Sequence, residues 1–468
     1  MSKQTLRVQD DFYPQLYRLA IPLTLQFLFT SSFSLIDSLM VASLGEKAIA
    51  AVGIAGQLEF LLGMILAGVL SGPAVFMAQY YGLRNYAQIK KLIGMTVFCA
   101  LAISSLYVLI VNVFSPYVFM PFTNDDQLLD MTASFMSIVS YGFVASAVTM
   151  AFSLSLKCVG IVKEIMYITI LALLLNTLLN YALIYGHFGF DAMGVNGAAA
   201  ATLCSKAVAM LLILIFVYVR EKKIAISFAD LFRFDRPLMA KVSRVTLPII
   251  IHESFWGLGM TMYMVAFGLL GTSALAIVQV SKMIGNFVST GIQGFSQAAT
   301  VMIGERIGLG KPMQAQLYAK RFTIIGTASA GIVGLLLFML APFVIRLFQI
   351  SPDLHEQAVQ VIRIMSLTLV FNFLNNIWIV GVFRSGGDTR FSLWMVLSST
   401  WLIGIPLTFI GAGVMNWPIE VVYGLYTTEE IAKAVIGYTR YRSNRWQNNL
   451  VESEAEHQPA RGREGLTG

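Results

Sequence analysis

Residues 92–114 read LIGMTVFCALAISSLYVLIVNVF, and none of these 23 side chains is charged. At a rise of about 1.5 Å per residue, a helix of this length covers the roughly 30 Å of a bilayer's hydrocarbon core. Hydrocarbon offers no water to the backbone, so an apolar segment of this kind crosses as an α-helix. The stretch therefore predicts a membrane helix near residues 92–119.

Eleven more apolar runs of spanning length flank this one. In the first half they lie near residues 16–44, 48–81, 131–156, 162–186 and 193–219. In the second half they lie near residues 245–271, 274–305, 322–349, 357–383, 391–413 and 417–438. The last run is interrupted by Glu420, Glu429, Glu430 and Lys433, and it either crosses obliquely or ends early. The pattern predicts an all-α polytopic membrane protein with twelve transmembrane helices.

The composition fits a chain whose main solvent is lipid. Hydrophobic residues make up 57% of the chain and charged residues 12%, whereas a soluble domain carries about a quarter charged residues. The net charge of +7 is spread over short gaps between apolar runs rather than over one basic face, which argues against nucleic acid as a partner. Cys99, Cys158 and Cys204 lack the paired spacing of a zinc or redox site and are interpreted as small hydrophobic residues.

Lysine and arginine are concentrated in alternate connections between the apolar runs. The richest connection, residues 220–244, contains seven of them. Cytoplasmic loops carry an excess of these residues, so both termini are predicted to be cytoplasmic. The expected location is a bacterial-type inner membrane, which the chain crosses many times.

The two halves of the chain repeat one another. Pro22, Gly45, Gly68 and Gly82 recur as Pro248, Gly271, Gly294 and Gly308, each 226 positions later because 271 minus 45 gives 226. Gly160 and Gly387 form a weaker echo. The repeat predicts a cytoplasmic N-terminus at 1–15, an N-lobe at 16–219, an inter-lobe loop at 220–244, a C-lobe at 245–440 and a cytoplasmic tail at 441–468. The polar composition from Asn448 to Gly468 is typical of a disordered segment.

Six helices in each half make both halves enter the membrane in the same sense. Their pseudo-two-fold axis is then expected along the membrane normal, with two six-helix lobes facing one central cavity. Rocking of the lobes would give alternating access to that cavity. The expected ligand is a small molecule, and the expected assembly is a monomer in the lipid bilayer.

Ionisable side chains at membrane depth are costly and usually face a cavity or a partner. Six such residues are candidates for function: Asp37, Glu59, Lys206, His252, Glu253 and Lys282. The repeat counterpart of Asp37 is Tyr263, so this acid belongs to one half only. A carboxylate in an apolar cavity can load and release a proton or bind Na⁺ with neighbouring oxygens. The alternative is a structural acid satisfied by hydroxyl groups or by Lys206.

Polar residues four apart mark two further helix faces. Asn176 and Asn180 share one face of the fifth span, and Thr202 and Lys206 repeat that spacing in the sixth. Their amide and hydroxyl oxygens can complete a cation site, for example Na⁺ at Asp37 and Asn180, or can hold helices together by hydrogen bonds. Glu59 and Lys282 occupy matching positions of opposite halves and either form an ionic contact across the cavity or pair within one lobe. Asn372, Asn375 and Asn376 place amides on the tenth span, for helix packing or for substrate contact.

Two enzymatic signatures are missing from the sequence. The run GERIGLGKP at 304–312 lacks the glycine at 305 and the Ser or Thr at 312 that an ATP-binding phosphate loop needs. The four histidines are scattered without metal-ligand spacing. These observations argue against an enzyme or a cofactor and favour an ion gradient, or simple facilitation, as the driving force.

Three segments carry a family resemblance: LIDSLMVASLG at 35–45, LNTLLNYALIYG at 175–186 and FRSGGDTR at 383–390. Over about residues 16–446 the chain resembles the multidrug and toxic compound extrusion (MATE) family of the multidrug, oligosaccharidyl-lipid and polysaccharide (MOP) exporter superfamily. The resemblance implies six-plus-six spans and antiport of drug-like, often cationic compounds against H⁺ or Na⁺. It also implies that Asp37 is the coupling acid, with Asn176, Asn180 and Thr202 as its polar neighbours.

The sequence departs from the family pattern at several positions. Some members have an acid where this chain has Asn180, and Lys206 stands where an uncharged residue is expected, which favours protons over Na⁺. Glu253 resembles a second acid found in some members, although its spacing from Pro248 differs. The predicted function is secondary active efflux of amphipathic, cationic organic compounds. The alternatives are a lipid-linked precursor flippase of the same superfamily and a membrane enzyme or sensor.

Overall fold

A computed structural model describes residues 3–120, 125–233, 235–346, 348 and 352–451. In this part of the chain there are twelve long helices, one short α-helix and one short 3₁₀-helix, Phe228–Leu231. The first half contains α1 Lys3–Ala42, α2 Glu46–Gly82, α3 Tyr86–Val113, α4 Ser115–Phe119, α5 Asp126–Cys158, α6 Lys163–Tyr185 and α7 Gly194–Arg220. The second half contains α8 Arg236–Gly268, α9 Thr272–Gly308, α10 Pro312–Arg346, α11 Pro352–Asn376, α12 Thr389–Val414 and α13 Ile419–Ser443. Helix α11 continues into a wider π-helical segment, Ile377–Phe383.

Each predicted span is confirmed as a helix, with corrections at three ends. The predicted span 92–119 is broken, because α3 ends at Val113 and the short α4 begins at Ser115. Pro116 explains the break, because it has no N–H group to donate to the carbonyl oxygen of Asn112 and its ring clashes with that carbonyl in a continuous helix. Helix α8 begins at Arg236 rather than near residue 245, because its first turns are charged and escape a search for apolar runs. The predicted end of the ninth span, beyond Arg346, falls largely outside the described residues.

Within the described residues, ten helices are long and apolar enough to cross a membrane. Helices α8 and α13 do not meet that criterion, although both are long, at 33 and 25 residues. Both carry charged residues along their length, which lowers their hydropathy without shortening them. The irregular last run therefore forms a complete helix, Ile419–Ser443, and does not end early.

The chain packs as two compact units. The N-unit comprises Ile21–Ala74 and Tyr86–Glu253. The C-unit comprises Met1–Ala20, Val75–Asn85 and Ser254–Gly468. Helices α1, α2 and α8 are therefore each divided between the two units. The lobe boundaries at 219, 244 and 440 stay predictions, since the units are defined by packing and the lobes by the sequence repeat.

Glycine permits a close helix contact inside the N-unit. A Cβ atom on Gly72 would lie 1.8 Å from the Thr246 hydroxyl oxygen, and one on Gly68 would lie 3.1 Å from Ile250. The two glycines are four apart on α2 and face the first turns of α8. Small residues at this spacing let helix backbones approach closely in a membrane. This contact attaches the start of α8 to helices of the first half.

Repeat-related residues meet reciprocally inside the C-unit. A Cβ atom on Gly82 would lie 2.5 Å from the carbonyl oxygen of Glu305, and one on Gly308 would lie 2.0 Å from that of Gln79. Gly82 and Gly308 are 226 apart, and so are Gln79 and Glu305, since 305 minus 79 gives 226. When two residues contact each other and their two repeat counterparts also contact each other, the pair of contacts has local two-fold symmetry. The predicted repeat therefore has a direct structural counterpart at this point.

The predicted disorder from Asn448 onward is wrong for Asn448–Val451. Gln79 donates from Nε2 to the carbonyl oxygen of Asn448 over 3.2 Å and accepts the Leu450 amide at 2.9 Å. Trp446 and Val451 are buried. The buried amide of Gln79 replaces water as the partner of these backbone groups, so a polar segment packs without its own secondary structure. Residues 452–468 of the predicted tail lie outside the described residues.

Candidate functional site

Asp37 on α1 and two asparagines on α6 form a hydrogen-bonded group in the N-unit. Asn180 donates from Nδ2 to a carboxylate oxygen of Asp37. The same amide lies 3.3 Å from Oδ1 of Asn176, one helical turn earlier. Asn180 is fully buried, whereas Asp37 is half-buried. The i, i+4 spacing thus places both amides on the helix face that meets the acid, as the sequence predicted.

The Asp37 carboxylate has no cation bonded to it within the described residues. The nearby lysine, Lys206 on α7, pairs instead with Glu59 on α2, with 2.5 Å between Nζ and Oε1. Lys206 also lies over the Phe143 ring, 4.5 Å from its centroid. The charges of Glu59 and Lys206 both act on Asp37 through space, in opposite directions. Neutralisation of Asp37 by a direct contact with Lys206, one of the two interpretations left open by the sequence, is therefore not what the structure shows.

The other predicted residues are more dispersed. In the described part of the chain, Thr202 forms no hydrogen bond with Asp37, Asn176 or Asn180. His252 Nδ1 lies 3.4 Å from Oε1 of its neighbour Glu253, near the middle of α8.

Glu59 and Lys282 were expected either to form an ionic contact across the cavity or to pair within one lobe. Glu59 uses its carboxylate within its own unit, so the interpretation of pairing inside one lobe is the one observed. Lys282 is exposed on α9.

Sequence reasoning missed a second polar group, in the C-unit. Lys433 on α13 lies 2.6 Å from Glu429 and 3.0 Å from Glu430. Tyr263 on α8 donates its hydroxyl proton to Glu429, and Asn375 on α11 donates to Glu430 Oε2 over 2.7 Å. The side chains of Lys433, Glu429 and Glu430 are 5%, 1% and 17% exposed. This group is here called the α13 cluster: Tyr263, Asn375, Glu429, Glu430 and Lys433.

The repeat contains a signal for the α13 cluster. Tyr263 is the counterpart of Asp37 at an offset of 226. Lys433 follows Lys206 by 227 positions, the offset that also relates Gly160 to Gly387, since 433 minus 206 and 387 minus 160 both give 227. Each half therefore has a lysine at the same place in its last helix. Comparison of the two halves at that offset would have identified Lys433 as a buried residue rather than as an interruption of an apolar run.

The two groups differ in what they can do chemically. A half-buried carboxylate that accepts neutral amide hydrogens can take up a proton or a small cation without displacing another charge. In the α13 cluster a lysine already occupies the position between two carboxylates, so an incoming cation would compete with a tethered one. Among the described residues, no three His, Cys, Asp or Glu side chains are grouped as ligands for a metal ion.

Twelve long helices with an internal repeat and ionisable side chains at membrane depth are typical of a polytopic membrane transporter. The MatE family profile matches residues 22–182 and again residues 248–410. The two matches begin 226 positions apart, which is the offset of the repeat. The chain belongs to this family and is a MATE transporter.

Curated relatives span nearly the whole chain. The chain is 25% identical over 417 residues to an "Uncharacterized transporter YisQ" of Bacillus subtilis, covering 88% of this chain and 90% of that protein. It is 26% identical over 395 residues to a "Probable multidrug resistance protein NorM" of Agrobacterium fabrum, covering 81% of this chain and 84% of the relative.

Solved structures share the fold. The Vibrio cholerae MATE transporter VcmN has a TM-score of 0.87 at 14% identity, covering 95% of this chain and 99% of that one. A MOP superfamily transporter from Pyrococcus furiosus has a TM-score of 0.84 at 19% identity, covering 95% and 98%. The predicted fold class is confirmed: the chain is an all-α, multi-pass membrane protein with twelve membrane helices in two lobes.

Proposed function

We propose that the protein is a secondary active multidrug efflux transporter that exchanges H⁺, or alternatively Na⁺, for amphipathic, cationic organic compounds. Relatives named as multidrug resistance proteins over most of the chain support the substrate class. Asp37 is the coupling acid, and Asn180 and Asn176 are its polar neighbours. Protonation of Asp37 favours one conformation and substrate binding the other, which is the requirement for coupled exchange by alternating access.

The single observation that carries this proposal is the hydrogen bonding of Asp37. Its carboxylate accepts from a fully buried amide and, within the described residues, has no cation bonded to it. An acid of this kind changes charge readily, because no ion pair has to be broken when it is protonated. By contrast, Glu59 already holds Lys206. Asp37 is therefore the exchangeable acid of the N-unit.

Protons are the preferred coupling ion. The opposite charges of Glu59 and Lys206 offset each other, so this pair does not select the ion. Asn180 presents its N–H group to Asp37, whereas a bound Na⁺ would need oxygen atoms there and protonation needs no further ligand. The transporter needs no cofactor in this scheme. It works as a monomer in a bacterial-type inner membrane with both termini in the cytoplasm, as the distribution of Lys and Arg predicts.

The test is efflux from proteoliposomes under separately clamped proton and sodium gradients, with ethidium as the transported cation. The parent protein is expected to transport when the proton gradient is imposed and to stop when it is collapsed. Asp37→Asn keeps the hydrogen-bond acceptor but cannot be protonated, so transport is expected to lose its dependence on the proton gradient.

Asp130→Asn is the matched control, because Asp130 is an exposed acid near the start of α5. It should transport like the parent. If Asp37→Asn kept the ion dependence of the parent, the assignment of the coupling acid would be wrong. Transport that follows only the sodium gradient would instead reverse the choice of ion.

A further inference from the structure

A cavity of about 430 Å³ lies in the N-unit, away from the Asp37 group. Helix α2 contributes Val69 and Pro73 to its wall, and helix α3 contributes Met95 and Phe98. The remaining wall comes from α8. The volume falls within the range of small-molecule sites in proteins, which is roughly 300–1,000 Å³.

The wall of the cavity is apolar apart from one charge. Two of its three hydroxyl groups bond to their own helices: Thr96 donates to the Leu92 carbonyl over 2.6 Å, and Thr246 donates to that of Val242 over 2.8 Å. The third belongs to Ser243. Methionines on two sides, including Met239, give a wall that adapts to a flexible apolar guest. Arg236 is the charged residue among those that line the cavity.

The charge and the apolar wall are arranged end to end. Arg236 is the first residue of α8, and Thr246 lines the cavity ten residues further along the same helix. Ten residues of α-helix extend about 15 Å. The cavity therefore accepts an elongated apolar chain that carries its polar group at one end.

Arg236 is available for such a polar group. The two carboxylates nearest to it in sequence already have partners: Asp235 pairs with Lys91 at 3.7 Å, and Asp230 lies 3.4 Å from Arg233. Within the described residues, Arg236 forms no ion pair of its own. A guanidinium group without a carboxylate is a ready partner for a phosphate, which it can bind through two parallel hydrogen bonds.

The surroundings of Arg236 favour an anion. Lys91 pairs with Asp235, the neighbour of Arg236 in sequence, and Lys90 and Arg233 act on Asp230. Together with Arg236, these three cations and two carboxylates form a set with a net charge of +2, since four minus two gives two. Asp230 is fixed in position by the amide of Ser227, 2.7 Å away, which lowers the pKa of its carboxyl below the usual value. A net positive charge of this kind attracts the anionic lipids of a membrane leaflet.

Aromatic side chains place this region at the membrane surface. The Phe98 ring, which lines the cavity, lies 5.7 Å from Phe232, and Phe232 lies 5.5 Å from Phe228. Phe228 and Phe232 are 79% and 56% exposed. Exposed aromatic rings beside a basic connection are typical of the boundary between headgroups and acyl chains. The cavity therefore opens at the depth where a phospholipid has its phosphate.

We propose that this cavity is a binding site for an anionic phospholipid, with one acyl chain between α2, α3 and α8 and the phosphate on Arg236. The organic cations of the proposed function do not fit here, because Arg236 would repel them. The inference does not depend on the proposed function, since lipid binding is measured without transport.

The test is a titration of the detergent-purified protein with phosphatidylglycerol and with phosphatidylcholine of the same acyl chains, followed by native mass spectrometry. The parent is expected to bind phosphatidylglycerol more tightly. Arg236→Gln is expected to weaken phosphatidylglycerol binding about tenfold or more, the loss of one charge-assisted contact. It should weaken phosphatidylcholine less, because the choline cation of that lipid already offsets the attraction between its phosphate and Arg236. Arg236→Lys should keep part of the preference, because the charge remains but the paired hydrogen bonds do not.

The matched control is Arg233→Gln, which removes a charge from the same connection but from a side chain that is 72% exposed and paired with Asp230. It should bind phosphatidylglycerol nearly as the parent does. Met239→Trp fills the cavity and should weaken both lipids. Melting temperatures of the variants establish that they are folded before they are compared.

Three results would overturn the proposal. One is equal binding of the two lipids by the parent. Another is binding of soluble glycerol phosphate as tight as that of phosphatidylglycerol, which would show that the cavity holds no acyl chain. The third is saturable binding of ethidium that Met239→Trp removes, which would assign the cavity to transported compounds.

Discussion

Lys206 and Lys433 occupy equivalent positions in the two halves of the chain but lie in different environments. Lys206 pairs with Glu59 across two helices, and the two side chains are 20% and 48% exposed. Lys433 pairs with Glu429 and Glu430 on its own helix, and its side chain is 5% exposed. The repeat has thus conserved the position of a cation while its burial and its partners have diverged.

The same divergence appears one helix away. Asp37 in the N-unit accepts from a neutral amide, whereas its counterpart Tyr263 in the C-unit donates to Glu429. One half therefore keeps an acid without a bonded cation, and the other half encloses its acids around a lysine. We therefore propose that charge at membrane depth has two uses here: exchange in the N-unit, as in the proposed function, and cohesion in the C-unit. Substitutions in the two groups should affect different properties.

Lys433→Met is expected to give the largest loss of stability. It would leave the buried Glu429 and the partly buried Glu430 without their cation, and breaking a buried pair by removing one partner costs about 3–5 kcal/mol. The measurement is the free energy of unfolding of the purified protein in mild detergent. Adding Glu429→Gln and Glu430→Gln to Lys433→Met should recover most of the loss, because the unpaired charges are then gone.

A melting curve of Lys433→Met that matches the parent would contradict the comparison, since the cluster would then contribute no cohesion. A triple variant no more stable than Lys433→Met would do so as well, because the cost would come from packing rather than from charge.

Tyr263→Phe is expected to have the next largest effect. The substitution removes the donor to a buried carboxylate, and a hydrogen bond to a charged group contributes roughly 1.5–3 kcal/mol. Tyr107→Phe is the matched control, because among the described residues the buried Tyr107 hydroxyl has no hydrogen-bond partner. The control should be neutral or slightly stabilising in the same unfolding experiment. Equal effects of the two substitutions would mean that the bond from Tyr263 to Glu429 carries no net stability.

Most of the fold follows from the sequence, because hydrocarbon selects helices and the length of each apolar run fixes its span. The predictions that were wrong concern short segments of the chain. The charged start of α8 and the packed segment Asn448–Val451 both look polar, and polarity alone does not show that a segment is unstructured. The segment is held by Gln79, whose side chain bonds to Leu450 across 371 positions of the chain, a contact that no local pattern encodes.

The sequence likewise identified some polar groups of the structure and missed others. The structure brings Asp37, Asn176 and Asn180 together, as helix spacing and the family resemblance both indicate, whereas their coupling role stays a prediction. The α13 cluster was missed because Glu429 and Lys433, four apart, form a pattern that on most helices is a solvated ion pair. Only the packing of α8 and α11 around α13 excludes water from it, and the sequence does not state which helix faces meet.

Lys206→Met is expected to have a small effect, about 1 kcal/mol or less. Its partner Glu59 is about half exposed, and exposed ion pairs contribute little because solvent screens them. The contact with the Phe143 ring adds a modest amount that methionine partly replaces. The quantity to compare is the loss in the free energy of unfolding caused by Lys206→Met, relative to the loss caused by Lys433→Met under identical conditions. A loss as large as that of Lys433→Met would show that the two lysines contribute equally to stability. The contrast between the two units in the role of their charges would then not hold.

Asp37→Asn is expected to have the smallest effect on stability, near zero and within about 1 kcal/mol. The amide keeps an acceptor for Asn180, and the change removes a charge that has no bonded cation within the described residues, so desolvation relief offsets the weaker hydrogen bond. Yet this is the substitution proposed to abolish the ion dependence of transport, whereas Lys433→Met should leave that dependence intact in whatever protein remains folded. Measuring unfolding and ion-dependent efflux on both variants therefore separates exchange from cohesion. If Asp37→Asn unfolded as readily as Lys433→Met, the acid would be a structural member of the N-unit, and the division of labour between the two groups would not hold.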